Sequence, residues 1–380
     1  MRYRFILLFL LPFCLSCLWD RDTLAEEGKG RMNAIEIIVG WFDRYPPEYY
    51  QARLDRVLKE IQTTPEKLSL YDDAAVALDR LHRSSEAIAL MAQKKAMMSK
   101  LRESGQTADL REHRYRYLAN LGTFHVHDWI GRPKEIRDSD LTSLQKAEEL
   151  IEAAIAYNPE AHFGREKYQL LAIQWLQKTP EQIGNSGPMG PNVRKLEKEE
   201  IDEALAGFLG MIKLGAAWES TDFFNIIAEL LSAERSGTLS YLSDLRTKEL
   251  EENGAISLHP HSHLLEFQMY GGPDPERRKE VNEWYPLARK GADERQQSRW
   301  AYLRKGFSEG RHPDTDPDFW NAWTEHEFPA MPGARFMDNF SFLKRPYYFI
   351  WIGLALGCTL LWIISLIRRK RIAWAELQHS

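Results

Sequence analysis

Two histidine runs are the residues of this chain best suited to chemistry. His125-Val126-His127-Asp128 and His259-Pro260-His261-Ser262-His263 each place imidazoles two apart. On extended backbone, imidazoles at that spacing share a face and could hold zinc or another borderline metal. The first pair falls near the end of a helical pattern, where a spacing of two splays them apart. The second lies in an irregular stretch, so His259, His261 and His263 are the better metal candidates. No HExxH or CxxC spacing supplies further ligands, and no GxSxG elbow, GxxxxGKS/T loop or GxGxxG turn is found. Carboxylates abound, yet no spacing selects an acid and base pair. The residues carry no catalytic motif and imply no cofactor.

The elements that must position these residues read as helices. Alternating strand patterns are scarce, and apolar residues recur at three and four. Glu48–Gln62 is amphipathic behind Pro46-Pro47. Further helices are expected at Leu68–Leu81, Ser84–Leu101, Tyr115–His125, Leu141–Tyr157 and Ala161–Gln177. The stretch 178–198, with GNSGPMGP, reads as a linker. A second helical region at 199–310 follows, with expected helices at Glu199–Leu214, Asp222–Ala233, Thr238–Glu252, Glu276–Lys290 and Asp293–Ser308. The fold class is all-α.

Both ends of the chain look outward. Tyr347–Ile367 is an uncharged apolar run of twenty-one residues, followed at once by Arg368-Arg369-Lys370-Arg371. As a helix it is long enough to cross a bilayer, and the basic cluster favours the cytoplasmic side. The tail 368–380 is then cytoplasmic and the body extracytoplasmic. Residues 1–17 have the basic start and short apolar core of a secretory signal. Cys14-Leu15-Ser16-Cys17 resembles a bacterial lipoprotein lipobox, with Cys14 standing where an aliphatic residue is usual, which makes Cys17 a lipidation candidate. The cysteines are Cys14, Cys17 and Cys358, so a body of Leu18–Pro346 has neither a disulfide nor a catalytic thiol. Net charge is −5 with the signs interspersed, and no basic patch suggests nucleic acid. The juxtamembrane segment 311–346 is rich in aromatics and proline. Trp320, Trp323, Phe328, Phe336, Phe340 and Phe342 could belong to the membrane interface, to a cap on the helices, or to a sugar-binding platform.

Repetition decides the expected architecture. In Pro65–Ala96, residues Tyr71, Ala74, Ala75 and Leu78 make one packing face. Leu81-His82-Arg83 makes a turn, and Ala87 and Met91 make the second face. Leu118 to Gly122, then Ala147, Ile151, Ala154 and Pro159, repeat the rhythm. These residues resemble the tetratricopeptide repeat, a helical hairpin of about 34 residues. About thirteen extra residues, within His127–Gln145, depart from it and read as a functional loop. The resemblance covers Pro65–Gln177 within a repeat region at 18–177, and it implies an α-solenoid. The whole layout is similar to bacterial membrane-anchored repeat proteins with a signal and one C-terminal span.

Such arrays bind protein segments in a groove lined by first helices. Here the resemblance places Asp72, Val76, Asp79, Asn120, Thr123, His127 and Glu166 in that groove. The expected role is a scaffold or adaptor in the bacterial cell envelope. It would bind an unidentified protein partner, be single-pass at the membrane, and have its main domain periplasmic. A metal-dependent envelope enzyme using His259, His261 or His263 is the alternative, and a purely structural envelope component is a third.

Overall fold

Thirteen α-helices and two short 3-10 turns form the described part of the chain, with no strand among the described residues. The computed structural model describes residues 34–159, 164–183, 186–191, 193–214, 217–265 and 272–331. The expected signal at 1–17, Cys17, the apolar run 347–367 and the tail 368–380 lie outside the described residues. No helix among the described residues is long and apolar enough to cross a membrane. The chain divides into compact units Met1–Pro329 and Ala330–Ser380, and all contacts below lie within the first.

After a buried apolar helix α1 (34–39) come α2 (Pro47–Thr63), α3 (Ser69–Arg80), α4 (Ser84–Glu103) and α5 (Leu110–Ile130). Next are α6 (Lys134–Ser139), α7 (Thr142–Tyr157), α8 (Arg165–Leu176) and α9 (Pro180–Ile183). The last are α10 (Lys198–Lys213), α11 (Thr221–Ala233), α12 (Gly237–Glu252) and α13 (Pro275–Ser308). Except for the short α6 and α9, helices from α2 onward pack on their neighbours in chain order.

The first hairpin follows its residue spacing. Tyr71, Ala74, Ala75 and Leu78 are buried on α3 and meet Ala87 and Met91 of α4 in one core. Each large apolar side chain buried this way contributes roughly 1.5–3 kcal/mol. His82 takes a φ of 59° at the turn, a left-handed conformation that costs a non-glycine residue about 1 kcal/mol. In the second hairpin, α5 crosses α7 where both carry small residues. A Cβ on Gly122 would lie 2.7 Å from Ile151 Cδ1, so glycine is what allows this approach.

Two expectations about connections change. The extra residues of His127–Gln145 do not form a loop. Trp129 is buried, and its indole N–H donates to the Arg137 carbonyl at 2.9 Å, so α5 runs on and α6 folds back over it. The Gly/Pro-rich stretch 178–198 joins α8 to α10, which pack on each other, and it carries the short α9 and a 3-10 turn. The helices expected at Glu276–Lys290 and Asp293–Ser308 are one helix of 34 residues, about 50 Å long. Gly291, the apparent break, sits against Trp41, which a Cβ would approach to 3.4 Å.

Helix α13 and the residues just after it return to the segment around Arg44 and to α2. The Gln296 side-chain amide accepts from Arg44 N–H at 3.1 Å and donates to Arg44 C=O at 2.8 Å. Trp300 Nε1 donates to the same carbonyl at 2.7 Å. Leu303 and Phe319 pack with Tyr49 of α2. Asp314, beyond α13, accepts from Tyr49 Oη and from Arg53 and Arg56 of α2.

Candidate functional site

The predicted groove residues sit on α3, α5 and α8, and short polar contacts join those helices. Asn120 of α5 donates to Asp72 of α3 at 3.2 Å. His127 Nδ1 lies 2.7 Å from Asp79 Oδ2. Thr123 accepts from Gln169 of α8 at 3.0 Å, and Tyr115 donates to Glu166 at 2.8 Å. Six of the seven predicted residues thus fall in two neighbouring rows of contacts. Val76, the seventh, lies half-buried against the apolar core of the first hairpin.

Burial divides these residues into two groups. Asp72, Asp79 and Glu166 point inward. Asp72 receives Lys94 Nζ on both oxygens at 2.6 Å, and Lys94 is 0 % exposed. Its ammonium also reaches the His113 carbonyl at 3.3 Å. Burial pulls the Lys94 pKa below the usual lysine range, and the Asp72 carboxylate opposes that. Asp79 takes a hydrogen bond from Ser84 at 2.8 Å besides its contact with His127. The acidic character of α3 is therefore spent inside the fold. Val76, Asn120, Thr123 and His127 are the members of the face that retain solvent exposure.

The Asp79–His127 pair has the form of an oriented base. With the proton on Nδ1, donated to Asp79, Nε2 is left as an acceptor. The Thr123 hydroxyl, one turn earlier on α5, donates its proton to the Ala119 carbonyl at 2.9 Å, and the Ser84 hydroxyl donates to Asp79. The site can bind and orient polar groups.

The second histidine run takes a different form from the one expected. His259 is 0 % exposed and both its ring nitrogens are used. Nε2 donates to the Trp175 carbonyl at 2.9 Å, and Nδ1 accepts from the His261 backbone N–H at 3.0 Å. Burial lowers its pKa to about 4, so the ring is neutral near pH 7. His261 and His263 present their rings 6.4 Å apart at a steep angle. No group of three His, Cys, Asp or Glu able to hold a metal occurs among the described residues. His259 instead pins the loop after α12 to the end of α8, beside the Trp129 and Trp175 core.

Sequence reasoning missed several residues. Lys94 occupies an interior position of α4 and gives no local sign that Asp72 awaits it. A stack of guanidinium groups and rings was also missed. Arg299 lies 3.7 Å from the Trp320 ring and 5.0 Å from Trp323. Arg295 lies 5.6 Å from Trp41 and 5.5 Å from Trp323, and it pairs with Asp43 and Glu325. Trp320 and Trp323 thereby pack onto α13, while Phe336, Phe340 and Phe342 lie outside the described residues. Glu229 of α11 is pushed up to about 7 by burial.

No family model matches the chain. No curated protein and no solved structure is significantly similar to it.

Proposed function

We propose that this chain is a tetratricopeptide-like solenoid that serves as a protein-binding adaptor in the bacterial cell envelope. In this reading a C-terminal span at 347–367 tethers it and its body faces the periplasm. The observation that supports the reading best is the continuous face on α3, α5 and α8. Helices from three successive hairpins share it, and Val76, Asn120, Thr123 and His127 keep part of their surface in water there. Faces assembled this way suit an extended segment of another protein. The small-residue crossing of Gly122 on Ile151 supports the repeat-like reading.

Photocrosslinking in cells tests it. A photoreactive residue at Val76 should trap one dominant envelope protein, and the same residue at exposed Leu287 of α13 should not. Equal labelling from both positions, or none from Val76, counts against the groove.

A further inference from the structure

A cleft of about 620 Å³ opens beside α10. Ala206, Gly210, Lys213 and Leu214 line it from α10, and their spacing of four, three and one puts them on one helical face. The N-terminal segment supplies Glu36, Ile37, Trp41 and Phe42. The volume lies within the range of small-ligand sites.

Its construction keeps it open. A Cβ at Gly210 would meet nothing within 4 Å, so α10 presents bare backbone there. Ile37 and Phe42 are buried beneath, and Leu214, 51 % exposed, holds an apolar side chain half in water.

The charges on the lining are unequal in their commitments. Arg295 and Asp43 pair with each other. Arg165 pairs with Glu166. Glu36 and Lys213 line the same cleft and form no ion pair with each other or with another described residue. Arg80 of α3 donates to the Leu214 carbonyl and so sets a second cation beside Lys213. A free carboxylate, a free ammonium and an apolar floor thus face one space.

We propose that this cleft binds a short apolar oligopeptide with both ends free, its carboxylate toward Lys213 and its ammonium toward Glu36. A peptide blocked at either end would leave one of those charges without its counterpart. The proposal shares with the adaptor reading only its ligand class, and it concerns a different set of residues.

Calorimetric titration of the full-length protein in detergent with the tripeptide Leu-Ala-Leu tests it. The free tripeptide should bind saturably at one per chain. Its N-acetyl and C-amide forms should each bind about tenfold more weakly, the size of one lost charged contact. Gly210→Leu should fill the space and abolish binding while leaving the melting temperature equal or higher, since leucine favours helix over glycine. Lys213→Gln should erase the preference for the free acid over the amide, and Glu36→Gln the preference for the free amine. No saturable heat, equal binding of the three peptides, or unchanged affinity in Gly210→Leu overturns the proposal. A crosslinked partner at Val76 alongside a negative titration would sink the cleft alone. Tripeptide binding with no crosslinked partner would sink the groove alone.

Discussion

The hairpins of α3 to α7 and the return of α13 onto α2 are held by different physics. In the hairpins, small and large apolar residues interlock between helices that follow each other in the chain. In the return, a side-chain amide reads a backbone amide, guanidinium groups stack on indoles, and one aspartate gathers a tyrosine and two arginines. The amide and aspartate bonds join residues about 250 positions apart. The hairpins rest mainly on interlocked apolar faces, with a few buried polar pairs such as Lys94–Asp72, while the return adds many directional polar contacts to its small apolar cluster. The hairpins should therefore set global stability, and the return should open locally at lower cost.

The largest test of that contrast lies inside the first hairpin. Lys94→Met strands Asp72 without its buried partner and should cost about 3–5 kcal/mol in thermal or denaturant unfolding. The double variant Lys94→Met with Asp72→Leu should recover most of it. A single variant with little effect would mean that the pair is solvated and the hairpin interior looser than described.

Acid should weaken the loop that His259 pins. Its folded pKa of about 4 lies below the ordinary 6.5, so the unfolded chain binds the proton more readily. Stability from this site is full above about pH 6.5 and falls toward pH 4, by up to about 3 kcal/mol. Glu229 works in the opposite sense. Its folded pKa of about 7 exceeds the usual 4.5, so its contribution is lost as pH rises between those values. Denaturation curves of His259→Gln and Glu229→Gln across pH 4 to 8 should each flatten one limb.

Gly122→Ala comes next, because the added Cβ would press on Ile151 at 2.7 Å. Overpacking of this kind costs about 1–3 kcal/mol, and adding Ile151→Val should relieve part of it. The smallest effect belongs to the return. Arg299→Met removes the stack on Trp320 and the ion pair with Asp43, and should cost about 0.5–2 kcal/mol. Hydrogen exchange should then rise at 41–46 and 312–328 with α4 and α5 still protected. Exchange rising everywhere at once would erase the distinction between the two regions.

What could be read in advance divides along the same line. Helices α3, α4 and α7 begin and end within two residues of their sequence expectation, because their packing faces are written in local spacing. The grouping of Asp72, Asp79, Asn120, Thr123 and His127 was legible only through the resemblance to the repeat. The burial of its carboxylates was not, since it depends on Lys94 lying across a helix crossing. The unbroken α13 was hidden by Gly291, which looks like a break until Trp41 is seen against it. Nothing near Arg44 announces that Gln296 will bind its backbone.

That last contact bears on how the chain is made. Arg44 leaves the ribosome 252 residues before the glutamine that holds it. Throughout that interval α2 shows Tyr49 and two arginines without their later partners, with Leu303, Phe319 and Asp314 still to be synthesised. A chain truncated before residue 289 would contain the hairpins through α12 and lack the contacts of α13 with Val39, Asp43, Arg44 and α2, and its exposed α2 would be a ready target for chaperones and proteases.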